Sequence, residues 1–308
     1  MIAALGLAGY FLWYAASRFD LATAGDALRR PEVLVATFLA IAGYVLIYPF
    51  TGAAWSVLLR RQAVYRSTGE LTQLLSFTQV SRYVPGNVAQ HVSRALLGIR
   101  RGIPPRAYVV CILQETGLTV CASVVTGAVM LAVSGAPLAK GGLAVHWLVY
   151  FSAMVCAACV LLACLDIRPG GERRSGLWGR LVEWSGGTPG FRATCQAMPY
   201  YIGNYLVVGA GLWMIARALG IGHEVGFALA TAVFSLSWIL GFLVPGAPAG
   251  LGAREGLMVL MLQGHGADEQ VLLLTLLVRV VSIAGDALAF LASLCFMGGT
   301  TRSGGDAA

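Results

Sequence analysis

Four arginines, Arg82, Arg94, Arg254 and Arg279, stand in stretches otherwise too apolar to be loops, and three carboxylates, Glu115, Glu255 and Asp286, accompany them. An arginine at bilayer depth costs at least about 2.5 to 3.5 kcal/mol on insertion scales, so it faces a partner or a water-filled cavity. Arg82 and Arg94 flank Pro85-Gly86, with Asn87, Gln90 and His91 between them. That set offers a guanidinium fork on each side and several neutral donors, which suits phosphate. A helix broken at Pro-Gly also presents free backbone N–H groups at its new start, where the helix dipole favours an anion. A second group offers the same chemistry after Pro245-Gly246: Gly250 and Gly252 let backbone approach closely, and Arg254 and Glu255 follow. The competing reading is structural, with proline and glycine turning a hairpin while the arginines snorkel to lipid headgroups.

Glu115 lies nine residues into its segment from Arg106, about 14 Å along a helix, and Arg279 lies eleven residues from Asp268, about 16 Å. Both come out near the bilayer midplane. The expectation is that the two helices cross there, that Glu115 pairs with Arg279, and that Asp286 assists from the same face; a salt bridge with no substrate is the plainer alternative. No Ser-His-Asp, HExxH or paired-carboxylate set is recognisable. No P-loop is present, and Gly250-Leu251-Gly252 with Gly256 has neither the spacing nor the preceding strand of a dinucleotide loop. Cys156 and Cys159 form a CxxC without a second pair, so neither a metal nor a cofactor is expected.

The elements that must hold these residues are set by composition. The chain of 308 residues is 58% hydrophobic and 11% charged, with mean hydropathy +0.76, where soluble domains run near about 25% charged. Its solvent is a membrane. Continuous apolar spans run near 2–17, 33–58, 106–133, 143–165, 196–217 and 268–297, and the alternation of a β-barrel is missing. The net charge of +7 resides largely in arginines of short connecting loops, which sets topology and gives no reason to expect nucleic acid. The cysteines fall in or beside apolar segments as small packing residues. Tyr200, Tyr201 and Tyr205 beside Pro199 read as an interfacial aromatic belt, with Asn204 bonding a neighbouring helix. Residues 298–308 read as a disordered polar tail after a single transmembrane domain, 1–297.

Two stretches, 71–98 and 226–263, are helical in period but interrupted at Pro-Gly. Aligned on that pair, Arg94 and Arg254 coincide, each nine residues after its proline, and each unit continues into a long apolar helix. Read as re-entrant hairpins separated by three full spans, they enter from opposite faces, an inverted repeat of the kind secondary transporters use. The fold expected is an all-α polytopic helical bundle with two such repeats. Residues 226–244 carry no formal charge and are also long enough to cross fully, which would change the parity. Arg60, Arg61, Arg66, Arg100, Arg101 and Arg106 fall on the same side as the arginines of 166–195 and Arg302, so the positive-inside rule puts both termini in the cytoplasm.

The segments SRYVPGNVAQHVSR with RRGIPPRAYVV, and PGAPAGLGAREG followed by the helix bearing Arg279, resemble the flippase-like family typified by the transmembrane region of lysylphosphatidylglycerol synthases, over roughly residues 30–297. Mapped on this chain, the first family motif falls on Pro85, Gly86 and Arg94 and the second on Pro248, Gly250, Gly252 and Glu255. Ala249 stands where a glycine is expected. The resemblance implies a multi-pass protein of a bacterial or archaeal plasma membrane that moves an anionic or glycosylated lipid between leaflets, working beside a separate lipid-modifying enzyme. The soluble aminoacyl-transfer domain of bifunctional members has no counterpart after the last span, so lipid synthesis is not expected. Two other classes compete: a membrane-embedded enzyme acting on a lipid phosphate, with His91, Glu115 and Glu255 as its candidate acids or bases, and a non-transporting assembly partner. The identity of the lipid, the direction, the driving force and the oligomeric state stay open.

Overall fold

In a hydrocarbon solvent a spanning backbone must satisfy its own hydrogen bonds, and a helix does so within one segment. The computed structural model describes residues 21–83, 89–135, 190–244 and 250–297, and among these every regular element is helical. In chain order they are α1 (Leu21–Arg29), α2 (Pro31–Val45), α3 (Ile47–Arg61), α4 (Thr68–Thr78) with a 3-10 turn at Gln79–Tyr83, α5 (Ala89–Arg100), α6 (Pro105–Ser134), α7 (Gly190–Ala218), α8 (Phe227–Leu243), α9 (Ala253–Leu262) and α10 (Asp268–Met297). The expected spans at 2–17 and 143–165, the CxxC, the tail and both Pro-Gly turns lie outside the described residues.

Local chemistry sets the ends. Pro31 and Pro105 begin α2 and α6, where a missing N–H leaves no bond unmade. Ser67 and Glu70 close a reciprocal capping box on α4, at 3.2 and 3.3 Å. Leu46 keeps helical dihedrals, so α2 and α3 make one run, Pro31–Arg61. That run, α6 and α10 are long and apolar enough to cross a membrane, and α8 is a shorter apolar helix of 17 residues. Leu34, Val35, Phe38 and Leu39 on α2, Val129 and Val133 on α6, and Val280, Ile283, Leu288 and Leu291 on α10 are exposed. In water these stripes would be a liability; in a bilayer they meet acyl chains.

Helix α7 lies at the centre, against α2, α3, α6 and α8. Small residues permit the approach, as is usual where lipid competes equally for apolar surface. A Cβ on Gly127 of α6 would come within 2.7 Å of the Leu236 side chain of α8, and one on Gly209 of α7 would overlap Thr231 of α8. The packing is also reciprocal. Helix α4 lies on α10 while α8 lies on α6, α2 lies on α10 while α7 lies on α6, and α3 lies on α4 while α7 lies on α8. The tyrosines of α7 depart from the expected interfacial belt: Tyr201 and Tyr205 are 1% and 4% exposed. They face inward because the helices around them enclose a polar space, described next.

Candidate functional site

Between α3, α4, α5, α6, α7, α8 and the start of α9 lies a cavity of about 530 Å³, within the range of small-ligand sites. Its wall carries Arg82, Gln90, His91, Arg94, Glu115, Gly250 and Arg254, seven of the residues singled out from sequence. Glu255, Arg279 and Gly252 stand behind that wall, and Pro85, Gly86, Asn87 and Pro248 lie outside the described residues.

The ion pairs differ from the expected one. Glu115 does not meet Arg279. It accepts from Arg94 Nη1 at 3.2 and 3.4 Å through its two oxygens, while Arg279 Nη1 donates to Glu255 Oε1 at 3.1 Å. Helices α5 and α9 are thereby each tied to the long helix that follows, α6 or α10, with the sign of the pair reversed. Pairing within each unit wins because α5 packs on α6 and α9 packs on α10, which brings these groups within side-chain reach. Asp286 serves neither pair. It accepts from Tyr48 Oη at 2.5 Å, Tyr83 Oη at 2.6 Å and Arg82 Nη1 at 3.3 Å, fastening α3 and the 3-10 turn after α4 to α10.

Sequence reasoning did not foresee the tyrosines. Tyr44 and Tyr48 stand four residues apart in an apolar run, and that spacing beside a lone buried carboxylate was the available signal. Tyr44 Oη also accepts from Arg82 Nη1 at 3.5 Å. Gln79 was missed as well: its Oε1 accepts from Gln90 Nε2 at 2.7 Å and from Arg94 Nη2 at 3.5 Å, joining the 3-10 turn after α4 to α5. Asn204 does bond a neighbouring helix, donating to Thr51 Oγ1 at 3.1 Å.

The second motif is built by backbone geometry. Gly250 and Gly252 have φ of +71° and +87°, which a side chain would strain, and a Cβ on Gly250 would lie 2.9 Å from Gly241 Cα. That approach seats the start of α9 against the end of α8. Glu255 then reaches back to accept from the Gly252 N–H at 2.8 Å, so its carboxylate caps α9 while holding Arg279. Arg254 lies beside it, Nε 3.5 Å from Glu255 Oε1 and Nη2 donating to Ser282 Oγ at 3.5 Å, with its guanidinium over the Phe234 ring at 5.4 Å where the residue lines the cavity; Arg94 lies over the Trp55 ring at 5.6 Å.

The cavity wall mixes charge with aromatic rings. Arg82, Arg94 and Arg254 line it with the single acidic residue Glu115. So do Tyr201, Tyr205, Phe234, Trp238 and Phe242, the last two rings stacked at 5.4 Å and 8°. Arg94 Nε, Tyr201 Oη and Asn204 Oδ1 are buried at this site with no hydrogen bond among the described residues. Buried polar atoms of this kind imply water or a ligand as their partner. Among the described residues no group of His, Cys, Asp and Glu could hold a metal ion.

Fold and site together define a multi-pass helical membrane protein with an arginine-lined cavity among its helices. The chain belongs to the family described as the lysylphosphatidylglycerol synthase TM region, whose model matches residues 1–289. That family places the protein in membrane lipid handling. A comparison with curated proteins finds no match.

Proposed function

We propose that the protein carries an anionic or glycosylated lipid between the leaflets of a bacterial or archaeal plasma membrane, with both termini cytoplasmic and without converting the lipid. One observation carries the reading: three arginines line one cavity with a single acidic residue, in a molecule whose outer faces suit acyl chains. A phosphate headgroup in that cavity meets charge-assisted donors while its chains stay in hydrocarbon, which lowers the barrier to crossing. The reciprocal packing of α4-α5-α6 and α8-α9-α10 supports reading these units as inverted repeats, each with a re-entrant hairpin, since such repeats offer two alternative closures around one site.

An enzyme acting on the lipid phosphate would use the same arginines and add a base or nucleophile. Of its three candidate acids or bases, Glu255 is held by Arg279 and the cap of α9, Glu115 rests on Arg94, and His91 lines the cavity, so product identity is what separates this reading from transport. The test is reconstitution in liposomes with a labelled phospholipid or lipid-linked sugar, following leaflet accessibility and product identity together. Movement without conversion is expected. Conversion would instead establish the enzyme, and neither would leave an assembly role. Arg94→Ala and Arg254→Ala each remove a charge-assisted contact of about 1.5 to 3 kcal/mol and are expected to slow movement by roughly tenfold or more. Unchanged transport in both would remove them from the site.

A further inference from the structure

The three carboxylates buried among these helices are held very differently. Asp286 accepts from three side-chain donors. Glu255 accepts from Arg279 and a backbone N–H and lies 3.5 Å from Arg254 Nε. Glu115 rests on Arg94, and it is the one of the three that lines the cavity. Its side chain is 16% exposed against 1% for Asp286 and 2% for Glu255.

Arg94 is therefore claimed from two sides. A phosphate entering the cavity competes with Glu115 for the same guanidinium. Among the described residues, the other groups around Glu115 supply no replacement cation: Trp55 from α3, Tyr108 and Cys111 from α6 itself, and Tyr201 from α7 are within its electrostatic reach. Helix α8 offers Phe234 and Trp238, which do not titrate, and α5 adds His91 beside Arg94. Arg82 is engaged by Asp286, and Arg254 lies beside Glu255. A carboxylate left without its cation in such surroundings carries a desolvation penalty of several kcal/mol, which a proton removes.

We infer that Glu115 is the proton site of a lipid–proton symporter, taking up one proton when the phosphate of the incoming lipid displaces it from Arg94. This rests on the transport reading above and adds its driving force. The step balances. The phosphodiester oxygens take the Arg94 N–H bonds, a proton from the entry side joins a Glu115 carboxylate oxygen, and both leave together on the far side as the Arg94–Glu115 pair re-forms. The charge of the loaded and empty cavity is then the same, so transport of a singly charged lipid is electroneutral.

The experiment uses the full chain in liposomes carrying a trace of fluorescent short-chain phosphatidylglycerol, whose phosphodiester does not titrate near neutrality. A pH step is imposed with potassium and valinomycin clamping the voltage, and leaflet distribution is read by dithionite quenching. The wild-type protein is expected to move the probe toward the alkaline side, approaching about tenfold asymmetry per pH unit for one proton per lipid. Glu115→Gln is expected to move the probe without following the gradient, and Glu115→Asp to follow it. Equal distribution by the wild-type protein across a pH step would overturn the coupling while leaving transport standing. No movement at all would overturn both. Gradient-following by Glu115→Gln would place the proton elsewhere and reject Glu115; if that variant moves no lipid, failure of Glu115→Asp to follow the gradient rejects it equally.

Discussion

At the scale of single residues, the pairing of charges decides what each arginine is for. Glu255 has two arginines and a backbone N–H on its two oxygens at 2% exposure, so Glu255→Gln removes the negative charge that Arg254 and Arg279 share. Breaking a buried pair from one side costs about 3 to 5 kcal/mol, and the expected result is a large loss of thermal stability in detergent. Glu115→Gln strands one guanidinium beside a polar cavity and is expected to lower the unfolding temperature much less. The reverse order of the two would mean the roles assigned here are exchanged. Exchanging Arg94 and Glu115 in a double variant is expected to restore the stability lost in each single charge reversal, but not transport, because the cavity wall then presents a different geometry to phosphate. Exchange of Glu115 with Arg279 should restore neither. The sequence revealed that these charges stood at membrane depth, because charge in an apolar run is costly and conspicuous. It could not reveal who paired with whom: distance along a helix gives depth, while the neighbour is chosen by which helices pack. The tyrosines that grip Asp286 were hidden for a related reason, since tyrosine in an apolar run passes as ordinary packing.

At the scale of elements, the junction between α8 and α9 shows how backbone rather than side chains shapes the site. Gly250→Ala would place a methyl 2.9 Å from Gly241 Cα at a φ of +71°, where Gly256→Ala would meet nothing within 4 Å. The first is expected to destabilise the protein by about 1 to 3 kcal/mol through strain and displacement of α9. The second, within a helix, should be neutral or slightly stabilising. Thermal unfolding of the two variants side by side checks this, and equal values would mean the junction is looser than described. The glycine-rich run around Gly250 was legible as a special backbone site, and the all-helical class followed from apolar run length. Which glycine met which neighbour was not legible, because close approach depends on a partner segment nine residues earlier. Tyr201 and Tyr205 teach the converse: an aromatic cluster beside proline fits an interface on composition, and their burial follows only from α7 being the central helix.

At the scale of the whole molecule, the proposed reading sets two three-helix units, α4-α5-α6 and α8-α9-α10, around the arginine-lined cavity. Ion pairs tie α5 to α6 and α9 to α10, while Arg82 and Tyr83 reach from the turn after α4 to Asp286 of α10. On that reading, links within units persist while links between units are made and broken, as alternating access requires. Asp286→Asn keeps the shape of that cross-link and weakens its charge. The expected result is faster labelling of a cysteine introduced at the cavity wall, at Thr51, by a water-soluble maleimide, against an unchanged rate if the link does not restrain opening. The central claim is that the cavity receives the headgroup of a membrane lipid, and the most direct measurement is to ask the lipid where it goes. A phospholipid with a photoactivatable diazirine in its headgroup is incorporated in the liposome, irradiated, and its adducts mapped by peptide mass spectrometry. The account predicts adducts on cavity residues such as Tyr48, Thr51, Asn204 and Trp238, diminished in Arg94→Ala. Adducts confined to the ends of the outer faces, with the cavity residues unlabelled, would contradict it.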